Sequence, residues 1–386
     1  MTTELFSKMF IKDFFTNNFR KKYLHEKQIV KDPSNIMSID ILNKILSIRS
    51  FWNKTNFKMV LDRQSINYSD YSSIFLEHSN QVMRPDVKKV ENWISKGSSV
   101  VLTEIENLTN NLQNVVNSLQ VLTNGKCQGN LYFSMKSRQA FGPHCDDHDV
   151  FAIHFEGEKV WNIYENVENN PINHPIFKYN AQERERRAGK LIEQIVMKPG
   201  DLLYLPRGQY HDALASKNGA IHIAFGLTYF KPMDLLSLLW EKFVLNEHMR
   251  KDFDKDISNE NIKIQLKKIS HELSDIINEE ENISLILNNL KNWPYTISKY
   301  ALKEIMSKGT QYKIQKSIQL LKIANETYLT NGKDKVLVPN NYLEITNFIL
   351  KHETIYEDDI LNKFKNKSKE VVVECINNLQ KMKVII

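Results

Sequence analysis

The chain is poor in cysteine, and the little it has excludes two architectures. Cys127, Cys145 and Cys375 are odd in number, scattered, and form no Cys-x-x-Cys pair, so neither a disulfide framework nor a zinc ribbon is expected. Long apolar runs are also missing: none approaches the ~20 residues of a membrane-spanning helix. Residues 1–8 carry no extended apolar core behind a basic cluster, so no secretory signal is expected either. Neither sign of charge prevails, since 52 Lys and Arg against 46 Asp and Glu leave a formal +6. That excess falls short of a nucleic-acid-binding footprint, although it suits weak attraction to an RNA-bearing assembly. No internal repeat and no low-complexity linker stands out along the 386 residues. What remains is a globular composition, 41% hydrophobic and 25% charged, long enough for two or three domains. A cytoplasmic location without a membrane partner follows as an expectation.

Against that background two segments stand out: Gly142-Pro143-His144-Cys145-Asp146-Asp147 and, far downstream, Leu205-Pro206-Arg207-Gly208-Gln209-Tyr210-His211. A His-x-Asp pair with one distant His is the donor set of a facial triad. Three such ligands hold one face of an octahedral Fe(II) and leave the opposite face open. A bare His-x-Asp is common, so the surroundings decide its weight. Beside a strand-like run, a period of two points His144 and Asp146 to one side and Cys145 to the other.

Between the halves, the run from Val150 to Tyr164 is rich in β-branched and aromatic residues. It is interrupted at Glu156-Gly157 and reads as two strands around a tight turn. Pro199-Gly200 reads as a second turn, Leu202 to Leu205 as an apolar strand, and the residues after it as a loop presenting His211. Ala220 to Leu227 is a further strand. Many short strands with Gly and Pro turns imply an all-β barrel or jelly roll carrying a site at its mouth.

From about Gly97 to Thr228 the chain resembles the JmjC-type cupin oxygenases, and within them the ribosomal oxygenases. The resemblance rests on four segments in order: Asn130-Leu131-Tyr132; Gly142 to Asp147; Phe155-Glu156-Gly157-Glu158-Lys159-Val160-Trp161; and Lys198 to Gly208. It implies an α+β protein with a double-stranded β-helix (jelly-roll, cupin) core. It also implies Fe(II)- and 2-oxoglutarate-dependent hydroxylation, with O2, of an amino-acid side chain in a protein or peptide such as a ribosomal protein. His144, Asp146 and His211 match the family's metal ligands. Lys159 matches the lysine that pairs the far carboxylate of 2-oxoglutarate, a role that needs a fixed cation in a barrel interior. Asn130 and Tyr132 match an Asn-x-Tyr lining the target pocket, where an amide and a phenol can orient an imidazole or amide.

The residues by themselves leave other readings open. Lys159 is equally a surface lysine at a hairpin end, and Tyr132 a half-buried strand tyrosine. The target is open too: a free amino acid, a small metabolite or a biosynthetic precursor peptide would use the same chemistry. A reading of another class is a non-enzymatic metal-binding cupin acting as scaffold or regulator. Lysine demethylation is a further family activity, but the hydroxylases are the closer likeness. His148 and His154 read as hydrogen-bonded packing residues, and His222 as a structural strand residue. Arg138 and Arg207 suit substrate contact and surface salt bridging alike. Cys145 departs from the aromatic residue common between the two ligands in this branch, which leaves the shape of the nearby wall open.

Along the chain, residues 1–230 are expected to form the catalytic domain with a helical N-terminal flank. Leu108, Leu112, Val115 and Leu119 mark a helix packed on the barrel after the strand at residues 99–102. Residues 231–338 read as a helical region, with one stripe at Leu235, Leu239 and Phe243 and another at Ile262, Leu266, Ile269, Leu273 and Ile276. In the family this region makes a homodimer. Residues 339–386 read as three short helices, at 342–351, 357–364 and 368–382, and resemble a winged helix with little room for a wing. The lysines of this segment are matched by acidic residues, so no direct DNA binding is expected.

Overall fold

The computed structural model describes residues 8–135, 141–255, 257–293, 309–315, 318–330 and 334–386. Arg138, singled out above, lies outside the described residues. The chain divides into two compact units, Met1–Ile297 and Ser298–Ile386. Among the described residues no helix is long and apolar enough to cross a membrane.

The first unit is a mixed sheet-and-helix domain built on a double-stranded β-helix. Its strands are β1 (Leu24–Glu26), β2 (Phe57–Leu61), β3 (Gln64–Ser65), β4 (Ser72–Glu77), β5 (Asn80–Pro85), β6 (Ser99–Thr103), β7 (Lys126–Ser134), β8 (Asp149–Val167), β9 (Leu191–Met197), β10 (Leu202–Leu205) and β11 (Gln209–Thr228). Nine of them form one antiparallel sheet in the order β1-β10-β8-β11-β7-β6-β2-β3, with β9 added to β8; β4 and β5 form a separate hairpin. Strand β8 gives its first part to β10, through Val150 to Ile153, and its later part to β9, through Lys159 to Tyr164. Strand β11 stays beside β8 along both parts, with a register shift between Ala215 and Ala220. These two long strands therefore belong to both walls of the barrel.

Here the sequence expectation needs correcting. Glu156-Gly157 is not a hairpin turn but a bend inside one continuous strand. Gly157 takes φ +67, a left-handed conformation that a side chain would strain. A Cβ there would lie 2.0 Å from the Gly219 carbonyl oxygen on β11. The two strands thus fold over together, and their pairing resumes beyond the bend. His211 likewise sits within β11 rather than on a loop.

The helices cover the outside of this sheet. The helix Asn110–Thr123 is started by Thr109, whose side chain accepts from the Leu112 N–H, and it buries Leu112, Val115, Val116 and Leu119. The helix Lys8–Asn17 sets the Phe14 ring edge-on to Phe151 and Tyr204. The flank is less helical than expected, because β1 completes the sheet edge on β10. Beyond β11 come the helices Asp234–Leu238, Trp240–Leu245, Asn259–Asn278 and Glu280–Asn292, packed around Leu239, Phe243 and Ile276.

The second unit differs from expectation in extent. Strands β12 (Gln311–Lys313), β13 (Gln319–Ile323), β14 (Glu326–Thr330) and β15 (Lys335–Leu337) precede its helices Asn340–Ile349, Glu357–Lys363 and Lys369–Lys381, with β16 (Thr354–Tyr356) between the first two. The three helices fall where the apolar spacing puts them. The boundary at residue 339 does not match, because Tyr312, Ile314 and Leu329 share one core with Ile345, Ile360 and Leu379. A three-stranded sheet, β13-β14-β15, also belongs to this unit.

Candidate active site

Three donors expected from the sequence meet inside the barrel. Among the described residues, His144, Asp146 and His211 bring one ligand atom each to within 4.8 Å of one another. Backbone pairing holds them there: the His144 N–H donates to the His211 carbonyl at 3.0 Å, and the His211 N–H returns the bond at 2.8 Å. One step along, the Gly208 N–H donates to the Asp146 carbonyl at 3.0 Å. Gly208, at φ +90, lets this turn approach closely, since a Cβ would lie 2.0 Å from the Glu168 carbonyl oxygen. The His-x-Asp segment is therefore docked onto the start of β11, which explains how residues so far apart in sequence converge.

The imidazoles are oriented by the same backbone. His144 Nδ1 lies 2.9 Å from the Gly142 carbonyl, and His211 Nδ1 lies 2.9 Å from the Gln209 carbonyl. Donation from both Nδ1 atoms puts the lone pairs on Nε2, facing the common point, as metal-binding histidines require. His211 Nε2 is 3.6 Å from Asp146 Oδ2. Burial, followed by the nearby His144, holds His211 down to about 4, so it is neutral at ordinary pH. Burial by itself would raise Asp146, but His148, His211 and His144 together bring it below the usual carboxylate range. Two imidazoles and one carboxylate fit a divalent metal such as Fe(II), and the donor set is that of a facial triad.

Lys159 faces the same cavity from β8. It is 4% exposed, and among the described residues no carboxylate pairs with it. Burial lowers it to about 7. Its Nζ lies 3.3 Å from His222 Nδ1 and 5.8 Å from the centre of the Tyr132 ring. A buried ammonium without a counter-ion is costly, and the open side of this one faces the cavity that the three donors share. The residues present fit an anion with one end at Lys159 and the other at the donors.

The cavity is lined by Tyr132, Phe141, Val150, Trp161, Ala213, His222 and Ala224 as well as Lys159 and the three donors. Tyr132 is thus where the sequence puts it. Asn130, two residues earlier on the same strand face, pairs with Ala224 of β11 but does not itself line the cavity. Sequence reasoning missed Phe141 and treated His222 as structural. The signal for His222 lies in register: it pairs with Tyr132 across β7 and β11, so both face inward together. Phe141 sits just upstream of Gly142-Pro143-His144, its ring 6.0 Å from that of His144.

The remaining candidates fall outside. His154 is fully buried, with Nε2 3.0 Å from the Gly157 carbonyl. His148 pairs with Asp147 at 2.9 Å and lines a separate cavity of about 280 Å³ with Arg20, Asp149 and Arg207. Cys145 is not among the residues lining the cavity; burial comes first in raising its thiol to about 11, and a hydrogen bond from Tyr210 opposes this.

Residues 101–235 match the family model of the JmjC domain. The chain is 28% identical over 222 residues to the bifunctional lysine-specific demethylase and histidyl-hydroxylase NO66 of Dictyostelium discoideum, covering 57% of this chain and 41% of that one. It is 38% identical over 84 residues to ribosomal oxygenase 2 of Bos taurus, 22% of this chain and 17% of that one. The chain thus spans less than half the length of these curated relatives. The structure of YcfD, a ribosomal oxygenase from Escherichia coli in complex with cobalt and 2-oxoglutarate, superposes with a TM-score of 0.52 at 14% identity over 97% of both chains. At that identity the likeness establishes the fold.

Proposed function

Because the chain carries a JmjC domain, we propose that it is an Fe(II)- and 2-oxoglutarate-dependent oxygenase that hydroxylates an amino-acid side chain in a protein or peptide, of the ribosomal-protein type. The observation that carries this reading is a buried lysine, with no carboxylate beside it among the described residues, in the same small cavity as two histidines and a carboxylate. A metal-only scaffold has no use for that lysine. A dicarboxylate cosubstrate does.

When bound, the metal and 2-oxoglutarate supply, with O2, the oxidising power to hydroxylate a C–H bond. The chain's own residues do the rest. His144 and His211 offer Nε2 lone pairs, and Asp146 offers the one negative charge. The Lys159 ammonium meets the far carboxylate with a charge-assisted hydrogen bond. Phe141, Val150 and Trp161 keep the cavity dry, which strengthens every polar contact inside it. Tyr132, which lines the cavity, orients the target side chain over the open face, while Asn130 supports the strand two residues before it.

The helices between Asp234 and Asn292 leave Leu236, Trp240, Leu245, Leu266 and Leu287 exposed, and this supports a homodimer made through that region. The free cysteines suit a reducing compartment such as the cytoplasm. The second unit is assigned a structural or protein-contact role without direct DNA binding.

The test is a mass comparison. Ribosomal proteins and peptides are incubated aerobically with the protein, Fe(II) and 2-oxoglutarate, beside Asp146→Ala. One added oxygen on a side chain with wild type alone is the expected result. Full retention by Asp146→Ala would remove the triad from the account, and oxygen added only to free amino acids or small metabolites would move the target class.

A further inference from the structure

Among the described residues, the Lys159 ammonium has a single hydrogen-bond partner in the cavity wall, His222. That partner is itself held on three sides, which separates it from the packing histidines of the same strands. His222 stacks face to face on Tyr132, with ring centroids 4.7 Å apart and planes 7° apart. Trp161 meets it edge-on at 5.3 Å and 83°. Its neighbours in register are Tyr132 on β7 and His154 on β8, so the backbone fixes its position from both sides. His154 turns away, to the Gly157 carbonyl. His222 therefore cannot swing, and Nδ1, at 3.3 Å from Lys159 Nζ, is the atom it presents to the lysine.

We propose that His222 is a positioning residue for the anion end of this site: its Nδ1 accepts one N–H of the Lys159 ammonium and thereby aims the other two into the cavity, at a carboxylate. The proposal rests on the cosubstrate reading above. An ammonium can only donate, so Nδ1 must carry the lone pair and the imidazole proton sits on Nε2. A lysine side chain is a flexible four-carbon stem that loses rotamer freedom when it is fixed. With a rigid acceptor beside it, that ordering is complete before the ligand arrives, so binding is tighter for the same contacts. Trp161 stands between the two ends of the site, stacked on His211 at 5.7 Å and edge-on to His222. His222 thus serves the lysine end and is not a fourth metal donor.

The experiment is a calorimetric titration under anaerobic conditions of the Fe(II)-loaded full chain with two keto acids. One is 2-oxoglutarate. The other is 2-oxopentanoate, which keeps the keto-acid end and lacks the far carboxylate. Wild type is compared with His222→Leu, which removes the acceptor, and His222→Asn, which returns a hydrogen-bonding atom near the Nδ1 position. Circular dichroism and a thermal melt on each variant establish folding. The expected result is a loss of roughly tenfold in 2-oxoglutarate affinity for His222→Leu, the size of one hydrogen bond to a charge. 2-Oxopentanoate affinity should stay unchanged, and His222→Asn should recover most of the loss. Equal losses for both keto acids, or no recovery in His222→Asn, would overturn the positioning role while the cosubstrate reading stands. Wild type that binds neither keto acid would overturn the cosubstrate reading, and the role of His222 with it.

Discussion

A lysine ammonium enclosed among aromatic rings destabilises the protein that carries it, and that cost has a sign in pH. Burial lowers Lys159 to about 7 from an ordinary 10.5. Between these values the unfolded chain holds the proton and the folded chain does not. The lysine's contribution to unfolding free energy therefore rises with pH across that window, and the penalty is fully present below about 7. Urea midpoints from pH 7 to 10 should rise more steeply for wild type than for Lys159→Met; parallel profiles would mean the lysine is not buried as described. A carboxylate ligand reverses the preference, because it needs the charged lysine. Affinity for 2-oxoglutarate should fall as pH rises above about 7, and Lys159→Ala should raise the 2-oxoglutarate KM by roughly 10–100-fold, the range of a charged hydrogen bond. A Lys159→Ala enzyme with an unchanged KM would contradict the role. At this scale the sequence reveals much: His144, Asp146, His211, Lys159 and Tyr132 all converge. His222 escapes it, because a strand histidine acquires its meaning only from the residue paired across β7 and β11.

Elements place these residues, and the least legible elements are the two long ones. Glu156-Gly157 has the composition of a hairpin turn, yet β8 runs on through it because β11 bends alongside. Only the partner strand, with its register shift between Ala215 and Ala220, distinguishes a bend from a turn. The bend sets Lys159 two residues beyond Gly157, so strain there should reach the site. Gly157→Ala adds a methyl group 2.0 Å from the Gly219 carbonyl oxygen in a left-handed conformation. It should cost about 3 kcal/mol of stability, combining backbone strain and overpacking, read as a lowered urea midpoint. An unchanged midpoint would mean that β8 and β11 do not fold over together. The shorter elements read more directly. Helix Asn110–Thr123 follows from the spacing of Leu112, Val115 and Leu119, and the three C-terminal helices from theirs.

The whole molecule is the hardest scale to read, because its boundaries depend on contacts that no local pattern records. Strands β12 to β15 lie in a stretch whose upstream part is helical, and they join the C-terminal unit through Tyr312, Ile314 and Leu329. Their short lengths, three to five residues, give too little alternation to place them from sequence. The proposed homodimer has its own test at this scale. Light scattering should give twice the 45.3 kDa chain mass, and Trp240→Lys should shift the protein toward the single-chain mass by placing a charge in an apolar contact. A single-chain mass for wild type at working concentrations would dismiss the dimer without touching the chemistry.

The central claim is that one cavity holds both a three-ligand metal site and a lysine-anchored keto-acid site. The measurement that tests it most directly is anaerobic addition of Fe(II) and then 2-oxoglutarate to the purified protein, followed by visible charge-transfer absorption. No knowledge of the target is needed. A band should form in wild type, vanish with His144→Ala, and require more 2-oxoglutarate with Lys159→Ala. Folded protein that binds Fe(II) but forms no band on adding 2-oxoglutarate would contradict the account.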